Sequence, residues 1–178
     1  MKLWKKLLLG LVGLIVVLSL AGWLLPTKQR IVCSTVMRGN AEDVFALTAT
    51  MKRWPEWTAW TTNRFPDLTL RFAGPDTGVG ATMIAAGKSS GDGMVRVTAA
   101  DPASGIAYTL DFNHGMQVFR GEIHNTNTPD GLRVSWTLEA DLGANPLKRW
   151  SGLAMESLMR GDMELGLANL KRQVEARP

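Results

Sequence analysis

Two hydrophobic patterns divide the chain. Residues 7–25 are apolar or small throughout and carry no charge. As a helix they would span about 28 Å at 1.5 Å per residue, close to the roughly 30 Å hydrocarbon core of a bilayer. Trp4 and Trp23 flank this run, where indole rings favour the membrane interface. Pro26 stops it, and Thr27, Lys28, Gln29 and Arg30 are polar. Residues 1–28 therefore read as an N-terminal membrane anchor and 29–178 as one domain.

From Gln29 to Met37 the chain is β-branched and alternating, which predicts a strand. Asn40 then caps a helix, with Asp43 three residues on as an imperfect capping box. Val44, Phe45 and Leu47 form its apolar side. A second short helical piece covers Thr50–Trp57, bent by Pro55. Beyond Leu68 the period becomes two. Strands are predicted at 68–72, 79–86, 94–100, 106–112, 117–126 and 132–140, parted by Gly-, Pro- and Asp-rich turns such as Pro129-Asp130-Gly131. After Pro146 the pattern is helical to about Val174, with Trp150, Ala154, Leu158, Gly161, Leu165 and Ala168 on one stripe. Gly152, Gly161 and Gly166 weaken this segment as a free helix, so packing on the sheet must hold it.

One strand, two short helices, six strands and a long helix predict an α+β domain: an antiparallel meander wrapped on its C-terminal helix. Alternation sorts the strands by face. Leu68, Leu70, Phe72, Val95, Val97, Ile106, Tyr108, Leu110, Phe112, Phe119, Ile123, Leu132, Val134, Trp136 and Leu138 are expected to face the helix. Arg71, Arg96, Asp111, Arg120, Glu122, His124, Arg133 and Glu139 are expected in solvent. The inner surface is then almost wholly apolar, with the Tyr108 hydroxyl and Trp136 indole N–H as its rare polar groups.

Charge changes the picture once it is divided between the two parts. The formal net charge is +4, but residues 1–30 hold five basic residues and no acid. The rest has 15 Lys and Arg against 16 Asp and Glu. The basic excess belongs beside lipid headgroups, and the domain lacks the basic face a nucleic-acid binder would need. Three lysines before the apolar run and two basic residues after it place the N-terminus in the cytoplasm and the domain outside, facing the periplasm in a bacterial cell. A cleaved signal peptide is the rival, because Ser19-Leu20-Ala21 fits a small-x-small cleavage site; the run through Trp23-Leu24-Leu25 is long for one. Trp23 stands where a lipoprotein signal needs its cysteine, so lipidation there is excluded. Cys33 is the only cysteine and reads as a small buried hydrophobe, so no internal disulfide forms.

Several phrases carry a family resemblance. They are Trp54-Pro55-Glu56-Trp57 with Trp60, Gly78-Val79-Gly80-Ala81, and Gly166-Leu167-Ala168-Asn169-Leu170-Lys171. With the order of elements over residues 29–174, they resemble the polyketide cyclase/dehydrase-like branch of the START and Bet v 1 superfamily, the helix-grip proteins. The resemblance implies a curved antiparallel sheet gripping a long C-terminal helix, with an apolar cavity between them that takes lipids or other hydrophobic molecules. It brings no shared catalytic motif.

Candidate chemistry is sparse. Gly78-Val79-Gly80 lacks the third glycine and following helix of a dinucleotide loop, so it reads as a turn into a strand. Glu122 and His124 share a strand face and could hold a metal with His114 or Asp111, but no third ligand has a fixed spacing. Both histidines and Ser135 fall outside the inferred cavity, so no catalytic residue, metal or cofactor is assigned. Trp54, Trp57 and Trp60 could share a helical face, either as a cavity mouth or as a core plug. The cavity candidates are Trp57, Trp60, Phe72, Tyr108, Phe112, Trp136, Met155, Leu158 and Met159. The expected partners are the membrane, through residues 7–25, and a hydrophobic small molecule. An enzyme acting on an apolar substrate and a closed-core interaction module are the competing readings.

Overall fold

A computed structural model describes residues 3–176. Helix α1 (Leu3–Leu24) contains, at Leu7–Leu24, the one described helix long and apolar enough to cross a membrane; a signal sequence would have the same character. Strand β1 (Lys28–Met37) follows Pro26 directly. Asn40 caps α2 (Ala41–Thr48), its Oδ1 accepting from the Asp43 amide at 2.8 Å. A 3₁₀ turn at Met51–Arg53 runs into the short α3 (Trp54–Trp57). Pro55 sits in the first turn of α3, where its missing N–H costs nothing, so it starts this helix rather than bending one.

Six further strands follow: β2 (Thr69–Ala73), β3 (Thr82–Ala86), β4 (Gly93–Asp101), β5 (Gly105–Phe112), β6 (Gln117–Thr128) and β7 (Gly131–Asp141). All pair antiparallel in the order β1-β7-β6-β5-β4-β3-β2. The predicted third strand begins three residues late, at Thr82, because Gly78 and Gly80 take positive φ and turn the chain first. A bulge between Val97 and Ala99 shifts the β4–β5 register and bends the sheet locally.

The face assignment holds through the centre of the sheet. Val95, Val97, Ile106, Tyr108, Leu110, Phe119, Ile123, Leu132, Val134, Trp136 and Leu138 are buried, while Arg71, Arg96, Arg120, Glu122, His124, Arg133 and Glu139 are exposed. It fails at the edge. Phe72 is 39% exposed, because β2 is the outermost strand, flanked on one side only.

Helix α4 (Pro146–Glu175), capped by Asn145, closes the inner face. Its buried side is not the stripe expected from the sequence. Met163, Leu167, Leu170 and Val174 are buried together with Gly152 and Gly166. Leu158 is 67% exposed, Leu165 48% and Trp150 38%, and Gly161 and Ala168 are also exposed. Ala154, part of the same expected stripe, has its side chain outside the described residues. The reason is steric. A Cβ on Gly166 would stand 2.8 Å from Trp136 Cζ3 and 3.6 Å from Trp57 Cε3. Strand β7 and helix α3 supply the bulky aromatics there, so α4 must supply glycine. Of the three glycines that weaken α4 as a free helix, Gly152 and Gly166 are points of close approach while Gly161 is open, and the helix's second apolar stripe faces outward.

Candidate functional site

The site grows from the short helices. Two carbonyls at the end of α2 have no partner within their own helix, and α3 fills both. Trp54 Nε1 donates to the Thr48 carbonyl at 2.7 Å, and Trp57 Nε1 donates to that of Leu47 at 3.2 Å. The two indoles are thereby fixed side by side, with ring centroids 5.2 Å apart. Trp54 meets Tyr108 edge-on at 5.1 Å, and Trp57 meets Trp136 at 5.3 Å. Such edge-to-face pairs add about 0.5–1.5 kcal/mol each beyond their buried area.

Tyr108 and Trp136, singled out as the polar groups of the inner face, bond to each other: Trp136 Nε1 donates to the Tyr108 hydroxyl at 2.6 Å. The ring of Tyr108 lies across β6, where a Cβ on its register partner Gly121 would come 2.0 Å from Tyr108 Cζ. Burial pushes the Tyr108 hydroxyl well above the usual tyrosine range, so it stays protonated and is available as a donor, not as a base. Its oxygen accepts from Trp136, and its proton has no acceptor among the described residues. Lining the same space, Thr58 Oγ1 is buried without a partner among the described residues.

Trp54, Thr58, Trp60, Tyr108, Trp136, Met159 and Asp162 line an apolar space between the sheet and α4. Its volume is about 50 Å³, well under the roughly 300–1,000 Å³ of ordinary ligand pockets. Asp162 marks the mouth and is bridged at 2.5 Å by Arg64, from the loop after α3. Trp60 is half-buried and packs edge-on against Phe112 at 5.5 Å.

Of the cavity candidates, Trp60, Tyr108, Trp136 and Met159 line this space. Trp57 is fully buried against Trp136 and Gly166, as a plug rather than a wall. Phe112 and Met155 are half-buried and pack on the core without lining the space. Leu158 points out from α4, and Phe72 lies on the outermost strand; both belong outside the site, for the reasons of helix phase and sheet edge already given. The expected shared face of Trp54, Trp57 and Trp60 breaks at Thr58, where α3 ends; Trp60 goes on alone to the mouth. Sequence reasoning missed Thr58, Asp162 and Arg64. Thr58 carries no periodic signal, and Asp162 was hidden by the inverted phase of α4.

Elsewhere, Glu122 and His124 are exposed on the outer sheet face, and His114 Nε2 lies 3.2 Å from the Asp92 carboxylate at the surface. Burial raises the Cys33 thiol above its usual range, which disfavours the reactive thiolate.

Several solved structures share the fold. The di-domain ARO/CYC StfQ from the steffimycin biosynthetic pathway superposes with a TM-score of 0.62 at 12% identity, over 84% of this chain and 51% of its own. The Aha1 dimer from Colwellia psychrerythraea gives 0.59 at 14% identity, over 83% and 97%. A Staphylococcus aureus protein of unknown function gives 0.63 at 8% identity, over 83% and 94%. No curated protein matches the chain. Residues 28–175 match the family model described as polyketide cyclase / dehydrase and lipid transport. With that match over nearly the whole helix-grip domain, the chain belongs to the polyketide cyclase/dehydrase and lipid transport family.

Proposed function

We propose that this protein is a membrane-tethered binder of a hydrophobic small molecule, held between the sheet and α4 and bearing one hydrogen-bond acceptor. The observation that carries the reading is the unpartnered Thr58 hydroxyl beside a Tyr108 hydroxyl whose oxygen accepts from Trp136 but whose proton is free for a ligand, in a largely apolar space. A buried hydroxyl without a partner costs about 1–3 kcal/mol. A ligand carbonyl or ether oxygen between the two relieves that cost, and apolar walls cover the rest of the molecule at about 25 cal/mol per Å². The family description, which includes lipid transport, supports the same class.

The resting space is too small for such a ligand, so binding must open it. The movable parts lie at the mouth: half-buried Trp60, flexible Met159, and the Arg64–Asp162 pair that joins the two sides. Tethering is carried by Leu7–Leu24 in the membrane, with the basic residues around it on the headgroups and the domain on the extracytoplasmic side. Retention of α1 is favoured over cleavage by its packing on the domain: Trp150 Nε1 donates to the Leu18 carbonyl, before the Ser19-Leu20-Ala21 site.

The test uses a brominated acyl methyl ester, whose bromines quench tryptophan emission on contact. Saturable quenching is expected in the wild type. It should be lost in Ala59→Phe, which fills the space, and weakened in both Thr58→Val and Tyr108→Phe. Quenching equal in all four proteins would sink the reading. The small volume gives one specific reason for the rival view, a permanently closed core that docks partners on its surface; that view predicts no saturable component at all.

A further inference from the structure

The contact between α1 and α4 fixes more than retention. Gly22 meets the first turn of α4 so closely that a Cβ there would stand 2.7 Å from Pro146 Cβ and 2.9 Å from Trp150 Nε1. This gap lets Trp150 Nε1 reach the Leu18 carbonyl at 2.9 Å. Arg149 Nη1 donates to the carbonyls of Trp23 at 2.8 Å and Leu25 at 3.1 Å, capping α1 at the end where its dipole favours a cation. The start of α4 is therefore held level with the last two turns of α1, between Leu18 and Leu25.

Leu18 lies six residues before Leu24, about 9 Å along the helix axis at 1.5 Å per residue. If α1 spans the bilayer, the first turns of α4 cannot stand clear of it. We propose that the anchor-proximal end of α4, Pro146–Leu153, lies in the bilayer interface and is a lipid-docking surface of the domain. The proposal rests on the reading of α1 as a membrane span and not on ligand binding.

The exposed side chains suit that position. Leu147 is 70% exposed and Leu153 47%, with Trp150 between them also open on one side. Interfacial helices bury such residues about 5–10 Å into the headgroup and acyl boundary. Lys28 and Lys148 lie at the same level, are exposed, and form no ion pair among the described residues. They are placed to meet lipid phosphate. The opposite end of the sheet stays far away. β1 starts beside α1 and runs to Met37, which pairs with Leu132 next to the β6–β7 turn. At about 3.3 Å per residue, that turn lies roughly 30 Å from the membrane end of β1.

The test places a polarity-sensitive fluorophore on single cysteines in the full chain, with Cys33→Ala as background. The protein is reconstituted in phosphatidylethanolamine–phosphatidylglycerol vesicles containing spin-labelled lipid. Leu147→Cys and Leu153→Cys probes should be blue-shifted and strongly quenched by a shallow spin label. Asp130→Cys, in the far turn, should be unaffected. Gly22→Leu, which pushes α4 off α1, should remove the quenching at position 147. Trp150→Phe, which deletes only the hydrogen bond, should reduce it without unfolding the domain. An Ile15→Cys probe, quenched by a deep label, reports insertion of α1 separately. If position 15 is not quenched, the reading of α1 as a span fails. If position 15 is quenched while 147 and 153 stay wet, the docking surface alone is overturned. Probes at 147 and 153 that are shielded from lipid and cross-link to a second copy would overturn it in favour of a dimer interface.

Discussion

Thr58→Val removes the buried hydroxyl and keeps the shape of the side chain. The residue is 6% exposed, its backbone is extended at ψ 168°, and Oγ1 has no partner. A β-branched apolar residue fits that conformation as well as threonine does. Folding carries the cost of a stranded hydroxyl, about 1–3 kcal/mol, which valine does not pay. The ligand-free variant should therefore be about 1–2 kcal/mol more stable than wild type. For a domain of this size that is a rise of about 2–8 °C in the unfolding midpoint. Ligand affinity should move the other way, falling about 2- to 12-fold for the loss of one ordinary hydrogen bond. Circular dichroism melts and denaturant titrations of the full chain in detergent give the first quantity, and the acyl-ester titration gives the second. A midpoint unchanged or lowered would rule out a stranded hydroxyl. It would mean that the hydroxyl is already satisfied, for instance by a resident water, for which a space of about 50 Å³ has room.

Tyr108→Phe should have the opposite effect on stability, because it strips the acceptor from Trp136 Nε1 and leaves a buried N–H unpaired; denaturant titration should register a loss of about 1–3 kcal/mol. Gly166→Leu should cost more than the gain in helix propensity returns, since even its Cβ stands 2.8 Å from Trp136 Cζ3. Overpacking of about 1–3 kcal/mol or more is expected there, whereas Gly161→Leu, with nothing within 4 Å, should fold normally in the same melt. Glu156 is held below the usual carboxylate range by hydrogen bonds from Arg160 and then Gln29, a link between β1 and α4. A carboxyl lowered in the folded state stabilises above its unfolded value of about 4.3 and loses that contribution as pH falls through the folded one. Glu156→Gln should thus melt below wild type at neutral pH, and the two should converge in acid; parallel curves at all pH values would contradict the link.

The strands were legible because each sits in one sheet with one wet face, so alternation maps directly onto burial. Residues such as Val95, Val97, Ile123 and Val134 needed nothing more than period two. The phase of helix α4 is not legible in its sequence, because apolar content does not mark the inner face there. The helix has two apolar stripes, and the inner one is partly glycine, chosen by Trp57 and Trp136 from other elements. No local pattern reports neighbours 30 and 109 residues away in the chain. The same ambiguity hid Asp162 and promoted Leu158. Phe72 failed for a different reason: alternation tells which side a residue faces, but not whether anything covers it. At the site, Tyr108 and Trp136 were visible as polar groups on an apolar face, yet their mutual hydrogen bond was not, because it depends on the curvature of the sheet. Thr58 gave no signal, since its importance lies in a partner it lacks.

The most direct test of the central claim is native mass spectrometry of the full chain extracted in mild detergent, with lipid analysis of what travels with it. One hydrophobic molecule per chain, carrying a hydrogen-bond acceptor, is expected to be retained by the wild type and absent from Ala59→Phe. An unliganded mass for both proteins, unchanged after incubation with membrane extract, would contradict the claim.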